Sequence, residues 1–496
     1  MLVVLVTLAL SRHDPPAQPS HAGLTGHVGP AARSCAGVAV TVTDDVQKVI
    51  DAHPPGTTFC LAAGTYRLDM PLVPKRSDVL VGHQGATLNG SKILTGWWTD
   101  GRVWSTTGFL HPMADNHGEC ALSVPTCSYT EDVFFNKRRL RRVSYPSAVT
   151  AGTFYADYGT NIITIGDDPR SQLVEQAFAP SLIQATVDDV TVANFVIEQA
   201  ANRSQVGAVE SRQITPYAAG SGWRVLDNEV CLNHGVGIGF AGASTVTGNF
   251  VHHQGQLGLG SWGAGSVVSN NEISFNNTAG YSADWEAGGS KSWMTERQTL
   301  TNNYVHDNMG PGLWADGGNI NTIYEHNKIT GNWCAGIQHE ISYDTIIRYN
   351  EISGNGRRHK GWAWDAGIQI QSSGGTNLID IAYNVVTGNA NGITVIDSGG
   401  RAGEQPAPHG PHIVQKVWVH DNTITMLAGQ ATAAVQDTGD PSIFPTSTIR
   451  FEANTYHLGS LTEPHFFWAN AAVGWFRWRG SGSGNDVNGR ARLVSR

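Results

Sequence analysis

The sequence predicts an all-β chain wound into a coil of three short strands per turn. Its 496 residues include 58 glycines and only 15% charged residues, a composition that disfavours helical bundles and coiled coils. A phrase with an asparagine two residues before Ile or Val recurs at steps of 21 to 38 residues. A minimum step near 21, with extra residues in some copies, is typical of a coil whose corners carry loops. These asparagines are Asn228, Asn249, Asn271, Asn303, Asn327, Asn350, Asn384 and Asn422.

A second marker of each turn is a glycine followed by a residue that we expect to face the interior. Because side chains alternate along a strand, the residues two and four places after each glycine should then lie on the outer face. Asparagines on successive turns are expected to stack as a ladder that satisfies backbone groups at a bend. The marker glycines are Gly237, Gly258, Gly280, Gly312, Gly336, Gly367 and Gly392.

The repeats, clear from about residue 190 to 424, resemble the pectin-lyase-like superfamily. The resemblance implies a right-handed parallel β-helix, a solenoid, with an N-terminal capping helix. Asp44 and Asp45, followed by apolar residues at helical spacing, look like that helix, and residues 54–66 and 85–90 resemble the opening turns. A cap is needed because an open coil end would expose apolar side chains and unpaired strands.

We divide the chain into five segments. Residues 1–22 are interpreted as a signal peptide, because Met1 to Leu10 is apolar and small residues follow before Gly23. Residues 23–127 hold the N-terminal cap and first turns, and residues 128–180, where the repeat disappears, predict a small inserted β-subdomain of hairpins. Residues 181–456 form the main coil, and residues 457–496 form a C-terminal cap. We therefore expect a secreted, extracellular protein.

The six cysteines fit an exported protein. Cys231 and Cys334 fall on turns too far apart for a disulfide and are interpreted as buried thiols. No CxxC pair or His/Cys spacing indicates structural zinc, so no metal site is expected. The two expected disulfides are Cys35 with Cys60 and Cys120 with Cys127.

Charge and hydropathy patterning exclude several classes of partner. The formal net charge is −9, and we identified no long basic run, which argues against a broad basic face for nucleic acid or anionic membrane. There is no apolar stretch of ~18 residues that would predict a transmembrane helix. We expect no nucleic acid, no membrane and no obligate protein partner.

Three acidic residues fall four places after consecutive marker glycines: Asp284, Asp316 and Glu340. In the column two places after the glycines stand Trp314, Gln338 and Gln369. The prediction is an outward patch of stacked carboxylates, an aromatic plate and amides. Adjacent strands lie ~4.8 Å apart, so like charges in one column repel and raise at least one pKa.

The residues around two of these acids resemble the β-helical glycoside hydrolase family typified by β-xylosidases. Gly-Leu-Trp-Ala-Asp ends at Asp316, and His-Glu-Ile-Ser contains Glu340. The resemblance implies that Asp316 is the nucleophile and Glu340 the acid/base. Gly317 and Gly318 follow Asp316 where the family tends to have bulkier residues, a departure that bears on xylose specificity.

Two enlarged turns border this column and supply further candidate substrate-binding residues. The first, residues 285–293, offers Glu286 and Lys291, and the second, residues 357–365, offers Trp364 and Asp365. His339 is also a candidate, although its place in the alternation is inward, where an interior histidine is as good an interpretation.

Three functions fit these observations. The leading hypothesis is a glycoside hydrolase with a polysaccharide or oligosaccharide substrate, a two-carboxylate mechanism and no cofactor. The spacing of neighbouring strands favours a retaining mechanism, and side-chain rotamers that lengthen the carboxyl separation leave an inverting mechanism open. The second is a polysaccharide lyase or uronate epimerase, in which Lys291 or an arginine loop supplies the base and the acid column holds calcium. The third is a non-catalytic carbohydrate-binding protein that uses the tryptophan surface.

Overall fold

The structure is a computed structural model of the 496-residue chain. It describes residues 28–31, 34–111, 117–213, 217–358, 361–374, 376–399, 401, 409–437, 444, 448–480 and 484–494. The expected signal peptide, residues 1–22, lies outside the described residues.

Three long sheets run the length of the molecule, and the chain visits them in turn. Sheet A contains, in spatial order, Val38–Val40, Thr58–Leu61, Val79–Gly82, Thr191–Ala193, Arg224–Leu226, Thr245–Thr247, Val267–Ser269, Thr299–Thr301, Thr322–Glu325, Thr345–Arg348, Ile379–Ala382, Val417–His420 and Ile449–Glu452. Sheet B contains Gly64–Arg67, Ala86–Asn89, Val196–Glu198, Glu229–Cys231, Phe250–His252, Glu272–Ser274, Tyr304–His306, Lys328–Thr330, Glu351–Ser353, Val385–Thr387, Thr423–Met426, Thr455–Leu458 and Arg490–Leu493. Sheet C contains Ile183–Gln184, Gly207–Glu210, Val236–Phe240, Leu257–Ala264, Gly288–Glu296, Leu313–Asp316, Ile337–Glu340, Ala366–Gln371, Asn391–Asp397, Thr432–Gln436, Phe466–Trp468 and Ala471–Val473.

Neighbouring strands in these sheets are parallel, apart from the antiparallel pair Phe466–Trp468 and Ala471–Val473 at the end of sheet C. The predicted parallel β-helix is therefore confirmed. Alternation along each strand sends one apolar column inward and leaves the other side chains outside. The interior column of sheet C, all of it buried, is Ile238, Leu259, Leu313, Ile337, Ile368 and Ile393.

One predicted member of that column is wrong. Gly280 and the residue after it, Tyr281, are not on sheet C. Tyr281 instead forms an isolated antiparallel β-bridge with Cys120 through its backbone. Ser290 pairs with both Leu259 and Leu313, so Gly289 is the marker glycine of that turn. The error arose because the extra residues of this turn lie before the strand, whereas counting from Gly280 places them after it.

The recurring asparagines form the expected ladder at the bend between sheets A and B. Each backbone N–H and side-chain amide donates to the side-chain oxygen of the next asparagine, and the amide also donates to a backbone carbonyl. Asn303 shows the pattern, since its Nδ2 lies 3.0 Å from Asn327 Oδ1 and 3.0 Å from the Val268 carbonyl. A second ladder runs through Asn233, Gln254, Asn276, Asn308, Asn332, Asn355 and Asn389.

Replacing Asn303 with alanine should lower the free energy of unfolding by about 3 kcal/mol, because it leaves buried backbone and amide groups of two turns unpaired. Urea unfolding followed by circular dichroism measures the change. Thr301→Ala, on the outer side of the preceding strand, is the control and should change stability little. Equal stability of the two variants would contradict a stabilising role for the ladder.

A short helix, Val46–Ala52, lies between the first two strands of sheet A and buries Val46 and Ile50 in the coil's core. The Asp45 side chain accepts a hydrogen bond from the backbone N–H of Lys48, which fixes the helix start. A second helix, Trp475–Arg479, packs Trp475 and Trp478 on the same core near the other end.

Two further sheets lie beside the coil. One contains Arg138–Arg139, Val133–Phe135, Val174–Ala177 and Ser91–Ile93, and the other Arg141–Arg142, Thr153–Asp157, Ile162–Ile165, Trp104–Thr107 and Trp98–Thr99. They share an apolar cluster of their own that includes Val133, Phe154 and Ile163. Strands before residue 128 thus join those of residues 128–180.

The remaining elements are a 3₁₀ turn, Pro146–Ala148, and a two-stranded ribbon, Arg212–Gln213 with Ala218–Ala219.

Both expected disulfides are present, and Cys231 and Cys334 are buried thiols. Among the described residues, none of the helices combines the length and apolar character needed to span a bilayer.

Candidate active site

The outer face of sheet C carries two columns of side chains that define the candidate site. In the first, Lys291, Trp314, Gln338 and Gln369 occupy matching positions on successive strands. In the second, Asp316 pairs with Glu340, which pairs with Gln371. The two acids therefore lie side by side on neighbouring strands, as the sequence predicts.

Asp284 is not a third member of the acid column. It is exposed and lies in the connection before the strand Gly288–Glu296, because the extra residues of this turn precede the strand. Lys291, predicted in a loop, is instead on that strand and enters the first column. The column thus contains a cation beside the predicted Trp314, Gln338 and Gln369.

Asp316 is held by Lys291. The Lys291 Nζ lies 2.8 Å from Asp316 Oδ2 and 3.5 Å from Glu286 Oε2, donates to the Trp285 carbonyl, and sits over the Trp314 ring. Burial lowers the pKa of Lys291, but Glu286 and Asp316 raise it more, so the net shift is upward and the ammonium stays charged. Asp316 Oδ1 is buried and accepts no hydrogen bond in the described part of the chain.

Glu340 sits in a different environment. Its Oε2 accepts hydrogen bonds from Trp314 Nε1 at 3.1 Å and Gln338 Nε2 at 2.7 Å, and its Oε1 lies 2.6 Å from the Arg401 guanidinium. Burial raises the pKa of Glu340, and the Asp316 charge raises it further; Arg401 and Gln338 oppose the shift without cancelling it. The protonated acid is therefore retained to higher pH than in an ordinary glutamate.

Two pockets open on this face, one beside each acid. The larger, about 500 Å³, is lined by Asp316 and Lys291 together with Glu286 and an aromatic group. The smaller, about 250 Å³, is lined by Glu340, Gln338 and Arg401. Asp284 lines both, so it lies at the boundary between them. The acids thus mark the junction of two pockets that could hold neighbouring parts of one ligand.

The smaller pocket also gathers three other predicted residues, Trp364, Asp365 and Gln369. The Asp365 backbone N–H donates to Gln369 Oε1 at 2.9 Å, so the enlarged turn is fastened to the first column. Trp364 is partly buried and packs against a small apolar cluster that includes Ile396, so this side of the pocket has a packed wall.

Two predicted placements are corrected. Trp314 is on the outer side of the sheet but only 3% exposed, because Lys291 covers its ring, so it orients Glu340 and is not an open aromatic plate. His339 is fully buried inside the coil, its Nε2–H donates to the Tyr343 carbonyl at 2.9 Å, and burial lowers its pKa to about 4. His339 is therefore an interior histidine and does not face a ligand on the outer surface.

Four residues of the site were not predicted from the sequence. Tyr217, Trp262 and Trp293 cluster in the larger pocket, with ring centroids 5.8 to 6.1 Å apart. Trp262 was visible four places after Gly258, and Trp293 would have followed it had the turn been aligned on Gly289. Arg401 lies in the longest connection, between Asn384 and Asn422, where no repeat indicates which side chain returns to the site.

Comparison with known proteins supports the fold. Residues 217–357 and 299–404 match the family described as the right handed beta helix region. XylC, solved in complex with xylose, is similar over 83% of this chain and 82% of its own, at 15% identity and a TM-score of 0.56. The chain is thus a right-handed parallel β-helix protein.

Two further solved structures are less similar. One is to the GH87 α-1,3-glucanase of Streptomyces thermodiastaticus, at 12% identity and a TM-score of 0.48, over 95% of this chain and 72% of that one. The other is to the mannuronan C-5 epimerase AlgE6 A-module of Azotobacter vinelandii, at 13% identity and 0.44, over 91% and 94%. No curated protein matches the sequence.

Proposed function

We propose that the protein is a carbohydrate-active enzyme, a glycoside hydrolase that cleaves glycosidic bonds with Asp316 and Glu340. The observation that carries the proposal is the pairing of these two carboxyl groups on adjacent strands in opposite settings. Asp316 contacts an ammonium, and Glu340 is buried with a raised pKa. Divergent environments of two neighbouring acids are the signature of an acid and a nucleophile working together.

Asp316 acts as the nucleophile. The charged Lys291 contacts Oδ2 and so fixes the orientation of the carboxylate. Oδ1 accepts no hydrogen bond from the described groups, so it is the oxygen that attacks. Attack on the anomeric carbon forms a glycosyl ester with Asp316, and the leaving oxygen departs with a proton.

Glu340 supplies that proton and then removes one from the water that hydrolyses the ester. Its raised pKa keeps the proton available, and Trp314 and Gln338 orient the carboxyl group. Adjacent strands are ~4.8 Å apart, near the ~5–5.5 Å separation of carboxyl groups in retaining glycosidases. We therefore propose retention of anomeric configuration.

The larger pocket suits a sugar ligand, because Tyr217, Trp262 and Trp293 offer aromatic surface beside charged and polar groups. The likeness to XylC, which was solved with xylose, supports the same class of ligand. The two pockets at the acids then take the sugars on either side of the bond that is cleaved.

The placement of Lys291 bears on elimination chemistry. A lysine that serves as the base of a lyase or epimerase must be neutral before it takes a proton. The raised pKa of Lys291 and its contacts with Asp316 and Glu286 keep it charged, so it is a poor base. Asp284 does not lie in the acid column, and Lys291 lies in the neighbouring column. The three carboxylates that would hold calcium in a lyase or epimerase are therefore not stacked.

We also propose that the protein is secreted, which the two disulfides support. The helix Val46–Ala52 serves as the N-terminal cap, since its buried residues join the coil's core near the first strands of sheets A and B. The segment of residues 128–180 belongs to an inserted subdomain with its own apolar cluster.

The test of the proposed function is product analysis. The full chain is incubated with xylan, arabinan, pectin, alginate and aryl glycosides, with and without a chelator, and the products are weighed. Hydrolysis products unaffected by the chelator are expected. Unsaturated sugar ends, or binding without any product, would contradict the proposal and favour a lyase or a binding protein respectively.

Replacing Arg401 with methionine should move the pH profile of kcat/KM. Arg401 lowers the pKa of Glu340, so its removal raises that pKa further. Activity requires protonated Glu340 and declines as pH rises through its pKa, so the alkaline limb should move to higher pH. Arg450→Met, an exposed arginine on sheet A, is the control; an unmoved alkaline limb in Arg401→Met would contradict the role of Glu340 as acid.

A further inference from the structure

The outer face of sheet B carries a second group of reactive side chains, away from the carboxyl pair on sheet C. Glu229 and Cys231 flank Val230 on one strand, so both point outward while Val230 points into the core. His252, on the next strand, is the register partner of Cys231. One ligand atom from each of Glu229, Cys231 and His252 lies within 4.8 Å of the other two.

These distances suit a metal ion. Tetrahedral zinc, with bonds of ~2.0–2.3 Å to N, O and S, places its donor atoms ~3.3–3.7 Å apart. His252 Nε2 and Glu229 Oε1 are already 3.3 Å apart. The Cys231 sulfur lies within 4.8 Å of the other two ligand atoms, and the three residues stand on two paired strands of the coil.

A fourth side chain orients the imidazole. His252 Nδ1 lies 2.8 Å from His253 Nδ1, a contact that requires one of the two nitrogens to donate. When His252 donates through Nδ1, its Nε2 is left with a lone pair directed at Glu229 and Cys231. Fixing the tautomer of a ligating histidine through its other nitrogen is a regular feature of metal sites.

We propose that Glu229, Cys231 and His252 bind a zinc ion, with the fourth position open to a solvent ligand. The three residues line a pocket of about 880 Å³ between sheet B and the neighbouring small sheets, which gives the ion an entry path. One sulfur, one nitrogen and one oxygen donor favour zinc and disfavour calcium or magnesium, which prefer oxygen donors alone.

The same pocket contains a basic run that the sequence analysis overlooked, Lys137-Arg138-Arg139-Leu140-Arg141-Arg142. Two of these cations contact carboxylates outside the proposed site. Lys137 Nζ lies 3.1 Å from Glu198, and Arg139 Nε lies 3.4 Å from Asp132. The carboxylates in these two ion pairs are Glu198 and Asp132, not Glu229.

The experiment is metal binding by the full chain after exhaustive chelation. Zinc binding is measured by calorimetry and metal content by mass spectrometry, and cobalt(II) serves as a spectroscopic substitute. We expect a single zinc per chain and a cobalt-thiolate charge-transfer band. Cys231→Ser should abolish the band, His252→Gln should abolish or greatly weaken binding, and His253→Phe should weaken it by ~10–100-fold.

Cys334→Ser is the matched control, because Cys334 is the other buried thiol and lies away from this cluster. It should leave the cobalt band and zinc affinity unchanged, as should Asp316→Asn, which separates this test from that of the hydrolase. Circular dichroism identifies any variant that has not folded, and His252→Gln keeps the test open if Cys231→Ser fails. No zinc uptake by the folded parent chain, or a cobalt band that survives Cys231→Ser, would overturn the proposal.

Discussion

Asp316→Asn should reduce kcat/KM on glycosides by ~10³-fold or more, because the amide cannot form the covalent intermediate. The loss should be in the chemical step, and the thermal midpoint of unfolding should fall only moderately, since Lys291 keeps its contact with Glu286 when Asp316 becomes an amide. Rates with aryl glycosides and thermal unfolding measure the two quantities.

Azide rescue of a second variant, Asp316→Ala, makes the test sharper. This variant removes the carboxyl group and leaves room for azide to attack the anomeric carbon, so turnover of an aryl glycoside should partly return with formation of a glycosyl azide. Asp284→Asn is the matched control, because Asp284 borders the same pockets but is outside the acid column; its loss should be much smaller. A fully active Asp316→Asn protein would contradict the assignment of the nucleophile.

Glu340→Gln should have an effect that depends on the leaving group. With oligosaccharides, whose leaving alkoxide needs a proton, kcat should fall by ~10²–10⁴-fold. With dinitrophenyl glycosides, whose leaving group departs without protonation, formation of the intermediate should be nearly unaffected and the later attack of water should become limiting.

Gln338→Leu is a useful comparison for Glu340→Gln. Gln338 donates to Glu340 Oε2, so its loss disturbs the orientation of the acid but leaves the proton in place. A moderate loss on both substrate types is expected. If Glu340→Gln lost activity equally on substrates with good and poor leaving groups, Glu340 would not be the acid.

The coil could be predicted from the sequence because its causes are local and repeated. The asparagine ladder needs the same residue at every turn, so the spacing of Asn228, Asn249 and their successors exposes the fold directly. The pair Asp316 and Glu340 could be predicted for the same reason, since register on adjacent parallel strands follows once two turns are aligned.

The rest depended on connections that break the repeat. The insertion before residue 288 shifted the alignment, which misplaced Asp284 and hid the contact between Lys291 and Asp316. Arg401 reaches Glu340 from a long connection with no periodicity. The cluster of Glu229, Cys231 and His252 is invisible to a search for closely spaced ligands, because its residues meet only through the pairing of two turns.

The central claim is that Asp316 and Glu340 catalyse hydrolysis of a glycosidic bond. The most direct measurement is to cleave a responsive polysaccharide or oligosaccharide in ¹⁸O-labelled water and weigh the products. The account predicts a single heavy oxygen at the new reducing end for every bond cleaved, and no such product from either carboxyl variant. Cleavage that yields unsaturated ends without the label, or labelled products from both variants at the parent rate, would contradict it.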